Sequence, residues 1–354
     1  MNNIINILKE KKSIPLDQFI NIALYDKKFG YYMRKNPFGK KGDFITSPLI
    51  SNLFGEMLAI WCVAFWEYIG EPKKILLVEL GPGDGSLCKD LLKTFKQFKN
   101  FYNSLEINLL EISSKLKAIQ RAKINNGKVK WIKKIKEINY GPIIFLGNEF
   151  FDGLPIKQIY KKKKLFFEKF VALSNDNKKI RFVHKKANNS LIKRIEDLDL
   201  VSIGNTIEYP VEALKFIEAI AKKINKFDGG LLTLDYGNAS KKNQNTLQSV
   251  KKHKYTNIFV VPGHSDITSH VNFELFHKVL KKNNLNVKKI ITQNEFLKKI
   301  GILERANTLS RKMTFKEKAN MFYRLKRLLD CREMGFLFKV LFAQKKNRRF
   351  SLGF

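Results

Sequence analysis

The chain has 354 residues, 44% of them hydrophobic, and 67 lysines and arginines against 32 acidic residues give it a formal net charge of +35. That length supports one large domain with additions, and three widely spaced cysteines, Cys62, Cys88 and Cys331, make neither a disulfide framework nor a zinc cluster. The lysines are scattered among asparagines and isoleucines rather than gathered with aromatics into a patch, so the charge alone does not make a nucleic-acid binder.

The N-terminus, Met1-Asn2-Asn3, opens no long apolar stretch, and no arginine precedes Arg34, which argues against secretory and transit peptides. The longest apolar run, residues 57–66, is too short to cross a bilayer. A cytoplasmic protein without membrane insertion is expected. Leu16, Phe19, Ile20, Ala23 and Leu24 recur at helical spacing after the start signals Ser13 and Pro15. Residues 29–48 break the period. Ile50, Phe54, Met57, Leu58, Trp61 and Phe65 mark a second amphipathic helix, with Ser47 as N-cap and Pro48 in its first turn. Residues 1–70 are therefore expected to form a helical extension that carries a loop.

From residue 71 the pattern alternates strands and helices, the mark of an α/β domain with a largely parallel sheet. Strands are expected at Ile75–Leu80, 107–111, Val129–Ile132, 143–146 and 231–234, with helices at 87–98, 114–125 and 211–224. A β insertion at about 157–205 interrupts the 71–240 core, with lysines 161–164 at a hairpin turn. Residues 241–354 hold a helix near Phe273–Lys282 and an apolar run, 336–343, that closes the sheet, before a basic tail at 345–349 that reads as fraying.

The chemistry concentrates at the carboxyl ends of the strands, where open α/β sheets bind ligands. Gly81-Pro82-Gly83-Asp84-Gly85 follows the first strand, and its G-x-G-x-G spacing, with Glu79 just before it, suits S-adenosylmethionine better than a dinucleotide pyrophosphate. Such a turn also occurs in other doubly wound domains. Glu79 either orients the cofactor's ammonium or accepts loop N–H groups. Glu111 either accepts both ribose hydroxyls or is an ordinary strand-end carboxylate. Past the fourth strand, Asn148, Glu149 and Asp152 bring an amide and two carboxylates, which either receive a guanidinium acceptor or cap the next turn. His264, His270 and His277 lack metal-ligand spacing and read as structural, so no metal is expected.

Several segments together resemble the MidA-like family, which includes a mitochondrial arginine methyltransferase serving complex I assembly. They are Ala23-Leu24-Tyr25 through Gly30-Tyr31-Tyr32, Gly42-Asp43-Phe44-Ile45-Thr46-Ser47-Pro48, Val78-Glu79-Leu80-Gly81-Pro82-Gly83, Glu111-Ile112-Ser113, Asn148-Glu149-Phe150-Phe151-Asp152-Gly153-Leu154-Pro155, Asp235-Tyr236-Gly237, Asp266-Ile267-Thr268-Ser269-His270-Val271-Asn272-Phe273 and Glu333-Met334-Gly335-Phe336-Leu337-Phe338-Lys339-Val340. The resemblance implies a class I (Rossmann-like) methyltransferase fold with S-adenosylmethionine as cofactor. It also implies methylation of an arginine on a complex I subunit near the quinone site. Glu79, Gly81, Gly83, Gly85 and Glu111, with Asp43, Thr46 and Ser47 from the 42–48 loop, would hold the cofactor. Asn148, Glu149 and Asp152 would act on the acceptor. The chain departs from the family pattern at Asp84, Leu49 and Tyr209-Pro210, where arginine, glutamate and serine-proline are usual. A nucleic-acid methyltransferase and a non-catalytic assembly chaperone are the competing readings.

Overall fold

The computed structural model describes the chain apart from residues 1, 35–36, 38, 40–45, 202–205, 240–244, 252–253 and 261. Two compact units emerge, one from Met1–Pro37, Phe151–Lys215 and Ser240–His270, the other from Phe38–Phe150, Phe216–Ala239 and Val271–Phe354.

The second unit is built on a mixed sheet. Its main strands are β1 (Ile75–Leu80), β2 (Leu105–Leu110), β3 (Val129–Ile132), β4 (Ile143–Asn148), β5 (Gly229–Asn238), β6 (Leu285–Val287) and β7 (Phe338–Lys345), in spatial order β6-β7-β5-β4-β1-β2-β3. Strands β1 to β5 are parallel to one another, whereas β7 runs antiparallel between β5 and β6. Every residue of β1 is buried, as is nearly all of β2 and β4, because a parallel sheet covered on both faces needs continuous apolar strands. The predicted strands are therefore found, with β5 extended at both ends and a short helix, Met334–Leu337, taking the start of the predicted closing strand.

Helix α1 (Asn52–Tyr68) packs on this sheet with Trp61, Phe65 and Trp66 buried. Its start corrects the sequence reading. Ser47 is not its cap: Ser47–Ile50 is a separate short helix preceded by the extended Thr46, and the extended Ser51 interrupts the helical path and caps α1 by accepting from Leu53 N at 3.3 Å. The basic tail does not fray either. Trp61 Nε1 donates to the Leu352 carbonyl at 3.0 Å, Phe350 packs edge-on against Trp61 and Phe65, and Arg348 pairs with Asp228 at 2.7 Å. Aromatic burial outweighs the charge of that segment.

The first unit is antiparallel. Ser13–Pro15, Leu165–Leu173, Lys157–Lys162 and Thr206–Tyr209 pair in that order, and Ile180–Lys186 joins Leu165–Leu173 as a largely exposed edge. Lysines and an arginine on that edge discourage further strand pairing. Helix Leu16–Tyr25 buries the predicted stripe Leu16, Phe19, Ile20, Ala23 and Leu24. A three-stranded sheet of Lys254–Thr256, Gln248–Lys251 and Asp266–Thr268 completes the unit.

Candidate active site

Strand order reverses beside β1. The chain leaves β1 toward β2 on one side, and returns from β3 to β4 on the other, which opens a crevice above the carboxyl ends of β1 and β4. Leu80 is in register with Gly147, so the glycine turn and the Asn148-Glu149 pair emerge side by side.

Gly81 adopts a φ of +61°, and a Cβ there would lie 2.6 Å from Cδ2 of Phe150. Only glycine lets the turn pass beneath that ring. Gly85, at φ +82°, starts helix α2 (Ser86–Phe95), whose first turn therefore faces the crevice. Asp84 does not reach into it: one oxygen accepts from Ser86 N at 3.0 Å and the other pairs with Lys123, which also donates to Ser86 Oγ. The departure from the family pattern at this position is thus absorbed by an internal ion pair at the helix start.

Glu79 is buried, and its Oε2 has no hydrogen-bond partner among the described residues. Burial, with the Asp84 charge second, pushes its carboxyl up to about 8. Glu111 is also buried, and its two oxygens accept from Ser113 N at 2.7 Å and Gln120 Nε2 at 3.1 Å. Burial raises its pKa and these hydrogen bonds oppose the rise. Gln120 Nε2 reaches the Gly83 carbonyl as well, at 2.7 Å, and Trp131 Nε1 holds its oxygen at 2.8 Å. Glu111 is thereby tied to the glycine turn. Gln120 carries no signal in the sequence, being one polar residue on a polar helix, Ser114–Ile124.

At the end of β4, Glu149 takes a φ of +52°, a conformation costly for a side chain other than glycine and typical of functional turns. Its Oε1 accepts from Ser47 N at 2.9 Å and from Asn148 Nδ2 at 3.2 Å. Asn148 Oδ1 is buried with no partner among the described residues. Asp235, at the end of the fully buried part of β5, fixes the next turn by accepting from Phe150 N at 3.1 Å and Tyr236 N at 2.8 Å. Thr46 is half-buried and Ser47 buried, while Asp43 lies outside the described residues.

Asp152 belongs to the first unit. Burial pushes its carboxyl up to about 6, and its carbonyl accepts from Ser269 N at 3.0 Å. The next carbonyl, of Gly153, accepts from Tyr25 OH at 2.9 Å. Tyr25 stacks on Tyr32, and Tyr32 OH donates to the buried Asp266 at 2.8 Å. Burial first, and the charge of Asp266 next, hold Tyr32 well above the usual phenol range. The segments that carry Tyr32 and Asp266 were legible as motifs but had no assigned role. Of the three histidines, His264 lies 3.3 Å from Arg34, and burial lowers His270 and His277. No group of three or more potential ligands is placed to hold a metal among the described residues.

The second unit fits an adenosyl sulfonium amino acid. It offers buried acceptors, Glu79 and Asn148, whose oxygens lack donors of their own, above a turn that admits no side chain at Gly81. No helix among the described residues is long and apolar enough to cross a membrane.

Comparison with known proteins places these features in a family. The chain is 32% identical to the mitochondrial protein arginine methyltransferase NDUFAF7 of Xenopus laevis over 88% of its own length and 76% of the relative's. It is 29% identical to the human protein of that name over 85% and 73%. A COG1565 superfamily structure from Burkholderia thailandensis bound to S-adenosyl-homocysteine superposes with a TM-score of 0.83 at 22% identity, covering 99% of this chain and 92% of that one. The Xenopus and human relatives are named as mitochondrial proteins, which overturns the expectation of a cytoplasmic protein. Three free cysteines suit any reducing compartment and do not choose between the cytoplasm and another. Residues 57–291 match the Methyltransf_28 family, and the chain belongs to this family of S-adenosyl-L-methionine-dependent methyltransferases.

Proposed function

We propose that the chain is a protein arginine N-methyltransferase, and that its acceptor is the complex I subunit near the quinone site that the MidA-like resemblance implies. Bound S-adenosylmethionine supplies a methyl group on a sulfonium, ready for in-line displacement. The chain's own residues contribute position and charge. Glu79, the glycine turn and Glu111 hold the cofactor, with Thr46 and Ser47 beside Glu149. Glu149 and Asn148 accept N–H groups of a guanidinium and hold it with one nitrogen toward the methyl. Asp152, three residues further in the same segment, is assigned the second carboxylate on its chemistry.

The observation that supports this most directly is the pair of donorless buried oxygens, Glu79 Oε2 and Asn148 Oδ1, on adjoining strands. Each costs about 1–3 kcal/mol while unmatched, and a donor-rich ligand relieves that cost. The test is to incubate the purified protein with methyl-labelled S-adenosylmethionine and the complex I subunit and map the label. Label on arginine is expected. Cofactor binding with no labelled arginine would remove the proposal.

A further inference from the structure

Helix Phe315–Leu329 buries Leu325, Leu328 and Leu329 against the second unit and starts with a capping box between Thr314 and Glu317. Its other side leaves large side chains in water: Phe315 is 88% exposed, Phe322 41% and Tyr323 66%. These stand at i, i+7 and i+8, and with Ala319 at i+4 they occupy an arc of about 100° on one helix face. A bare aromatic row of this kind marks an interaction surface. The adjoining helix Met334–Leu337 adds Phe336, 50% exposed.

Its surroundings are cationic. Residues 311–332 hold eight basic against two acidic side chains. Both acids are engaged, Glu317 in the cap and Asp330 with Arg332 N. The exposed Lys316 and Lys326 edge the aromatic row, and the ammonium group of neither makes a hydrogen bond or ion pair among the described residues.

We propose that this face docks on an anionic lipid surface, with the aromatic rings entering the headgroup boundary and the flanking cations meeting lipid phosphates. The helix has 15 residues, so it lies on the bilayer and does not span it. A second copy of the chain is a poor occupant, because two-fold pairing would press two basic rims together. A folded partner would need a groove cut to a ridge one helix wide, whereas a lipid interface deforms around it.

Full-length protein is sedimented with phosphatidylcholine vesicles, with and without phosphatidylglycerol. Capture by the anionic vesicles, weakening as salt rises, is the expected result. The triple variant Phe315→Ser, Phe322→Ser, Tyr323→Ser should bind them about tenfold more weakly or worse. So should Lys316→Glu with Lys326→Glu, which disturbs no buried contact and serves if the triple variant does not fold. Both should keep the wild-type thermal midpoint and affinity for S-adenosylhomocysteine. No capture, equal capture by neutral vesicles, or capture untouched by the lysine pair overturns the proposal. So does a wild-type dimer that the lysine pair or the triple variant disperses in light scattering, which would assign the face to a second copy.

Discussion

Gln120 ties Glu111 to the glycine turn, donating through one amide nitrogen to Glu111 Oε2 at 3.1 Å and to the Gly83 carbonyl at 2.7 Å. The first contact is buried and the second partly so, and removing the amide takes the donor from both acceptors. Gln120→Leu is expected to weaken S-adenosylhomocysteine binding by about tenfold, the equivalent of roughly 1.4 kcal/mol, as measured by calorimetry. Unchanged affinity would show that the bridge does not hold the ribose side of the site.

Gly81→Ala meets two obstacles, a left-handed backbone and the Phe150 ring 2.6 Å away. The variant should lose about 1–3 kcal/mol of stability by chemical denaturation, together with most cofactor affinity. Adding Phe150→Ala should recover the part due to the ring and leave the part due to φ. A second substitution that recovers nothing would mean that the ring moves aside freely.

Glu79 has a folded pKa of about 8 against an ordinary 4.5. A carboxyl whose pKa is raised on folding binds its proton more tightly in the folded state, so its contribution is fully present below the ordinary value and is lost as pH climbs toward the folded one. The wild-type melting temperature should therefore fall relative to Glu79→Gln across that window, and the difference should level off above it. A cationic ligand group near Glu79 favours the ionised form. Binding of S-adenosylhomocysteine near neutral pH should then release a proton, seen by calorimetry in buffers of different ionisation enthalpy. Parallel melting curves for the two proteins would contradict the assignment.

Glu149→Gln keeps an oxygen to accept from Ser47 N and removes the negative charge. Methyl transfer to arginine should drop by about 10²–10³-fold while cofactor affinity holds within a few-fold. Activity near wild type would move the acceptor away from the end of β4. A normal rate of complex I assembly with the inactive variant would favour a chaperone role instead.

What the residues revealed unaided follows from periodicity and burial. Strands β1, β2 and β4 are predominantly apolar runs, and the stripe of helix Leu16–Tyr25 repeats at helical spacing, so each was legible in place. The glycine turn, Glu79, Glu111 and the Asn148-Glu149 pair were legible because strand ends in such a sheet gather polar groups. Three kinds of feature were not. Ser51 breaks the predicted helix through its backbone angles, which the pattern of Ile50 and Phe54 does not encode. Gln120 and the Tyr32–Asp266 contact are tertiary, the latter joining residues 234 positions apart. The tail after β7 reads as charged and turns out anchored, because Phe350 and Leu352 meet α1, an element much earlier in the sequence.

That anchoring carries a consequence for synthesis. Trp61 and its hydrogen-bond partner at Leu352 are 291 residues apart, and the aromatic pocket around α1 is completed by Phe342 and Phe350. While the ribosome is still translating the middle of the message, the emerging polypeptide carries Trp61 and Phe65 with nothing to cover them. Closure of the second unit is therefore a late event, and until then the nascent protein is a natural client for chaperones.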